Sequence, residues 1–207
     1  MIIINKRNLF FLISVWLLST LLSAQNVTIS TPHTQLLLSV PNGGTPEQLY
    51  YGSRTSDADI RSICETARRR NAYPVYGMGY PCETALSVRH ADGNLTLQMA
   101  VIGVKETRLT KENATLTVIE LKDKVYPFFV NICYKAWQDA DVIETWTEIR
   151  HEEKKPVILS KYASSMLHLN SSKYFLTEFS GDWAHEANVT ERELAFGKKV
   201  IDTKLGA

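Results

Sequence analysis

The chain is poor in the residue patterns that mark the commoner kinds of site. It holds three cysteines, Cys64, Cys82 and Cys133, and no CxxC pair. It has no HExxH segment, and its five histidines, His33, His90, His151, His168 and His185, are scattered. The spacings that hold zinc are therefore absent, and no metal or other cofactor is expected. No histidine stands beside a recognisable Ser or Cys nucleophile. An odd number of cysteines does not make a disulfide framework, although an oxidising compartment would allow a Cys64–Cys82 bridge. Cys133 lies in an apolar run and reads as a small core residue. Nor is one charge in surplus, since 23 basic residues meet 22 acidic ones. Without a basic stripe no nucleic-acid partner is expected, and "ARRR" at 67–70 reads as a solvated face.

No apolar run reaches the roughly 20 residues of a membrane span. The longest, Leu9 to Leu22, follows Lys6 and Arg7 and runs into the small residues Ser23 and Ala24. That order reads as a secretory signal, residues 1–24, with cleavage after Ala24; an uncleaved anchor is the alternative. A secreted or periplasmic location follows, with no membrane association after cleavage. Residues 25–207 remain, enough for one domain with a good core.

From Asn26 onward the dominant signal is alternation with period two. "HTQLLLSV" reads as a strand, closed by the turn "PNGG" at 41–44, after which "EQLYYG" pairs back. Asp92-Gly93 sits between two strand-like runs and predicts a hairpin. "ATLTVIELKD", "YPFFVNICYKAW", "DVIETWTEIRHE" and "KPVILSKYASSMLHL" supply further strands, rich in β-branched and aromatic residues. In the third of these, Ile143, Thr145, Thr147 and Ile149 share one face and Val142, Glu144, Trp146 and Glu148 the other, which suits a sandwich sheet. One segment, "SDADIRSICETARRR", predicts a short helix capped by Ser56, with acids at its start and arginines at its end. The expected class is all-β and mainly antiparallel, two sheets face to face with one or two short helices.

Several stretches, taken in order, resemble one family. "YPVYG" at 73–77 is similar to the "YPxYG" element of glycoside hydrolase family 36 α-galactosidases, and "ETALSVRHADG" at 83–93 to the segment after it. The run from Ile119 to Leu159 resembles that family's "ELKD…DVIxRxxxIxN" stretch. "SGDWAHE" at 180–186 and "KVIDTKLG" at 199–206 resemble its "GxWxRE" turn and the continuation. Order and spacing are kept from about Leu36 to Gly206. The resemblance implies an N-terminal β-supersandwich, which in that family precedes a (β/α)8 barrel carrying two catalytic Asp residues. Such hydrolysis needs two carboxyl groups about 5 Å apart across the sugar. No strand bearing such a nucleophile with a downstream acid is found in this sequence, so no hydrolysis is expected from this chain alone. The implied partners are an α-galactoside oligosaccharide, the chain's own C-terminal barrel and further copies in a homo-oligomer. The alternative is a stand-alone carbohydrate-binding or structural sandwich.

The resemblance points to one site residue. Trp183 stands in the polar stretch "LTEFSGDWAHEANV", where a large aromatic is either folded into the core or held out for a ligand. A galactose ring stacks its C–H face on an indole. In similar enzymes the Trp of this turn reaches a substrate pocket, so Trp183 is the expected substrate-binding residue. His185 departs from the family's usual Arg, losing the planar two-point ion pair an Arg can make. Between Gly52 and Tyr73 the family's longer loop, which has an acid reaching the sugar, is replaced by the helical segment. Asp57 and Asp59 there read as first-turn acids of a helix. His185-Glu186 as an acid–base pair is disfavoured because neighbours on a strand face opposite ways. Glu120 and Asp123 read as strand-end and turn residues. The tyrosines of "LYYG" and "YPVYG" read as packing aromatics, or as the lining of a contact with the barrel.

Overall fold

The structure, a computed structural model, describes residues 25–182 and 185–202. They form two compact units divided between Leu167 and His168.

The first unit begins with an antiparallel sheet of β1 (Gln25–Ser30), β2 (Thr34–Val40), β3 (Glu47–Ser53) and β4 (Arg70–Asn71), in that order. Between β3 and β4 lies α1 (Asp57–Thr66). Ser56 caps it: Asp59 N–H donates to the Ser56 hydroxyl at 3.3 Å, and Ser56 N–H to the Asp59 carboxylate at 3.3 Å. The helix ends before the arginines, contrary to the expectation that they complement its dipole. Arg69 instead donates to the Ser39 hydroxyl at 2.9 Å and to Glu47 at 3.1 Å. Thr55 similarly donates through its N–H and hydroxyl to the Gln35 side-chain carbonyl. The segment 54–70 is thus tied across one face of β2, which explains why every residue of that strand after Thr34 is buried.

A short strand, β5 (Leu86–Arg89), follows. After it comes a second antiparallel sheet of β6 (Met99–Leu109), β7 (Ala114–Asp123), β8 (Phe128–Trp137) and β9 (Val142–His151), in chain order. Alternation sends Ile119 and Leu121 inward opposite Ile132 and Val130 of β8. They meet Val27, Ile29, Leu36 and Leu38 of the first sheet in one buried cluster. Each such side chain contributes about 1.5–3 kcal/mol by leaving water. On β9, Ile143 and Ile149 pack against this core, while Val142, Glu144 and Glu148 are exposed, as their alternation predicts. The "PNGG" turn joins the sheets: Gly43 N–H donates to Val101 O and Val101 N–H to Gly44 O.

The Asp92-Gly93 hairpin is corrected. The turn exists, with Gly93 at φ +93° and its N–H donating to His90 O. The runs around it do not pair, because both edges of β5 are occupied. One is taken by β10 (Ile158–Tyr162) and the other by a bridge from Val75 to Leu86. The three thiols are free, so the Cys64–Cys82 bridge is not formed.

The second unit holds a hairpin of β11 (Phe175–Asp182) and β12 (His185–Glu193), paired from Phe175↔Glu193 to Asp182↔His185. The stretch expected as a short polar turn is therefore mostly strand.

Candidate functional site

Two places in the chain present side chains for recognition. The first is the β11–β12 hairpin. Trp183 lies outside the described residues, as does the side chain of His185; the strands on either side are paired up to Asp182 and His185. Along the strands, Phe175, Thr177 and Phe179 share one face with Glu193, Glu191 and Val189 opposite them, so that the apolar members of this face are Phe175, Phe179 and Val189. They are 61%, 71% and 62% exposed, although these residue types are usually buried. The other face carries an ion pair between Arg192 and Glu178. A two-stranded hairpin is marginal by itself and holds best when one face is covered.

The second place is the end of the first unit where three loops meet. His90, at the end of β5, is fully buried. Its Nδ1 lies 2.7 Å from a Glu153 carboxylate oxygen, and the other oxygen accepts from Ala91 N–H at 2.9 Å. The imidazole stacks on Tyr126 with centroids 3.7 Å apart and meets the edge of Phe128 at 5.9 Å. Its Nε2 is the one buried side-chain polar atom without a partner among the described residues. The Tyr126 hydroxyl donates to Asp92 at 2.7 Å and accepts from the Asn94 amide at 2.9 Å. That bond to a carboxylate raises the Tyr126 phenol. Hydrogen bonds from Asn94 N–H and then the phenol hold the Asp92 carboxyl below its usual value. Asp123, buried at the end of β7, accepts from the N–H groups of Gln98, Val125 and Tyr126.

Three carboxylates therefore fix three loops, and between those loops lies an open cleft of about 440 Å³. Asp92, Tyr126, Pro127, Glu152, Lys154 and Lys155 face it. Glu152 pairs with Arg150. Among the described residues neither Lys154 nor Lys155 has a partner.

The outer face of the second sheet is less available. Arg150 lies 4.0 Å over the Phe129 ring and Lys135 3.9 Å over the Trp137 ring. The indole N–H groups of Trp137 and Trp146 donate to Glu144 and Glu148. Its aromatics are already engaged by the sheet's own charges. Cys133, on this face, is buried, and loss of solvent pushes its thiol up to about 11.

The remaining sequence candidates fall into structural roles. Asp59 completes the helix cap. Glu120 pairs with Lys105 at 2.6 Å. Tyr73 is buried and donates to Ala163 O, whereas Tyr51 and Tyr76 are 40% and 50% exposed. Among the described residues no three His, Cys, Asp or Glu side chains gather as a metal cage. Sequence reasoning missed the Tyr126 cluster, whose only signals are a "YP" after a turn and the "HADGN" loop.

Two facing antiparallel sheets with loops converging at one end define a β-sandwich domain. The profile of the Glycosyl hydrolase family 36 N-terminal domain matches residues 44–207, and the chain belongs to that family. No curated protein matches. The fold is shared with solved α-galactosidases. The enzyme of Lactobacillus brevis superposes with a TM-score of 0.73 at 19% identity over 83% of this chain. The A355E variant of AgaA of Geobacillus stearothermophilus, bound to 1-deoxygalactonojirimycin, gives 0.75 at 14% identity over 84%. The galactosidase domain of an α-galactosidase–sucrose kinase, AgaSK, gives 0.69 at 22% identity over 82%. The chain spans 28% of the length of each.

Proposed function

We propose that this chain is the exported N-terminal, non-catalytic domain of an α-galactosidase. A downstream barrel supplies the two carboxylates that cleave a terminal α-galactoside. The β11–β12 turn brings Trp183 to the rim of the substrate pocket, where its indole takes the apolar face of the sugar. The apolar face of the same hairpin seats on the barrel or on a neighbouring copy in a homo-oligomer. Residues 1–24 direct export to the periplasm or beyond.

One observation carries this reading: Phe175, Phe179 and Val189 are exposed on one side of a two-stranded hairpin, flanking the Thr177–Glu191 pair, the form of a surface that another body covers. Membership of the family and the 28% share of the solved α-galactosidases support it. The test is Trp183→Ala in the polypeptide that includes the barrel. A KM for raffinose raised about tenfold, with the fold intact, is expected; an unchanged KM removes Trp183 from the pocket.

A further inference from the structure

The cleft between the three loops is a site that the proposed function does not use. Its volume falls within the range of about 300–1,000 Å³ typical of small-ligand pockets. Its walls are fixed before any ligand arrives. Asp123 holds the loop of Tyr126 through three backbone N–H groups, Asp92 holds the Tyr126 hydroxyl, and Glu153 holds His90 and Ala91. Preorganised loops spare a ligand the cost of ordering them. Tyr126 is held flat on one side by His90, an arrangement that leaves His90 Nε2 without a partner.

The chemistry of the walls selects the ligand class. Tyr126 and Pro127 give an apolar floor. Asp92 and Glu152 offer acceptors, while Lys154 and Lys155 offer donors that no other described residue engages. Glu153 is buried and already bonded. Asp92 and Glu152, the latter also paired with Arg150, stand against Lys154 and Lys155, so charges of both signs line the cleft and none dominates to select an ion. Donors and acceptors ranged around an apolar floor suit a molecule that has C–H faces, gives and accepts hydrogen bonds, and is uncharged. We propose that this cleft binds a neutral saccharide, with one ring against Tyr126 and Pro127 and its hydroxyls shared between Asp92, Glu152 and the two lysines.

The experiment titrates raffinose into the isotope-labelled chain and follows backbone amide resonances. Saturable shifts at Ala91, Asp92, Glu152 and Lys154 are expected. The double variant Lys154→Ala/Lys155→Ala removes two exposed, unpartnered side chains and should weaken binding at least about fivefold, the loss of roughly one good hydrogen bond. Circular dichroism should remain unchanged. Trp183→Ala should leave the shifts at Ala91, Asp92, Glu152 and Lys154 in place. Absence of shifts with raffinose overturns the proposal. So does a response to citrate in place of raffinose, which would make the cleft an anion site. Raffinose binding that vanishes in Trp183→Ala but survives in the lysine variant also overturns it, while leaving the reading of Trp183 intact.

Discussion

The imidazole of His90 lies flat on the phenol ring of Tyr126, with planes 8° apart and centroids at 3.7 Å. This contact joins the turn after β5 to the loop before β8, and Glu153 extends it to the loop after β9. His90→Ala would remove the stack and strand a buried carboxylate. A loss of about 2–3 kcal/mol is expected in urea unfolding, from the lost packing and the unmet hydrogen bond. Glu153→Gln keeps a hydrogen-bonding group without the charge and should lose less. Equal losses in the two variants would mean that the stack on Tyr126 adds nothing to the cost of the truncation.

A second clasp gives a pH dependence. Asp141, in the turn between β8 and β9, accepts His33 N–H at 3.0 Å and lies 3.3 Å from the His33 ring. Hydrogen bonds from the Thr31 hydroxyl and then His33 N–H hold its carboxyl below the usual carboxylate range. A depressed folded-state value means that the stabilisation is complete above the unfolded pKa and fades as pH falls through the folded one. Thermal melts at stepped pH should lose this part of the stability only below about pH 4. Asp141→Asn should flatten that limb, and a variant that keeps the full slope would show that Asp141 does not cause it.

Gly77 has φ +103°, and a Cβ there would come within 2.8 Å of Thr96 Cα and 3.0 Å of Leu97 N. Both neighbours are backbone and cannot swing aside. Gly77→Ala should cost about 1–3 kcal/mol and lower the melting temperature by several degrees. A melting temperature equal to that of the parent would show that these loops are not packed as described.

The three thiols should react in sequence. Cys82 is exposed, Cys64 half-buried and Cys133 buried, with its pKa pushed up to about 11. At pH 8 a chromogenic disulfide should titrate Cys82 first, and Cys133 only after unfolding. Fast modification of Cys133 in the native protein would contradict its burial beneath the outer face of the second sheet.

The apolar face of the β11–β12 hairpin should drive self-association of the isolated chain. Sedimentation is expected to show concentration-dependent oligomers, reduced by Phe175→Ser/Phe179→Ser. A monomer at every concentration, with or without those changes, would contradict exposure of that face.

How far the sequence discloses all this depends on the range of the interactions. Strands β2, β7, β8 and β9 follow from local alternation, and the α1 cap from the spacing of Ser56 and Asp59. The pairing of β5 with β10 joins residues about seventy positions apart, so Asp92-Gly93 looked like a hairpin although the edges of β5 were already taken. Trp183, the substrate-binding residue that the resemblance implies, lies outside the described residues but is legible as a motif. The cleft was not, because its walls come from three loops near positions 90, 126 and 153, each an ordinary turn in isolation.

On the proposed reading this sandwich lends a wall to a sugar pocket, and a second domain supplies the carboxylates that break the glycosidic bond. The most direct measurement is release of galactose from an aryl α-galactoside by the purified chain, alone and in one polypeptide with the downstream barrel. No release above buffer is predicted for the chain alone, and turnover for the joined form. Turnover by residues 25–207 alone would contradict the account.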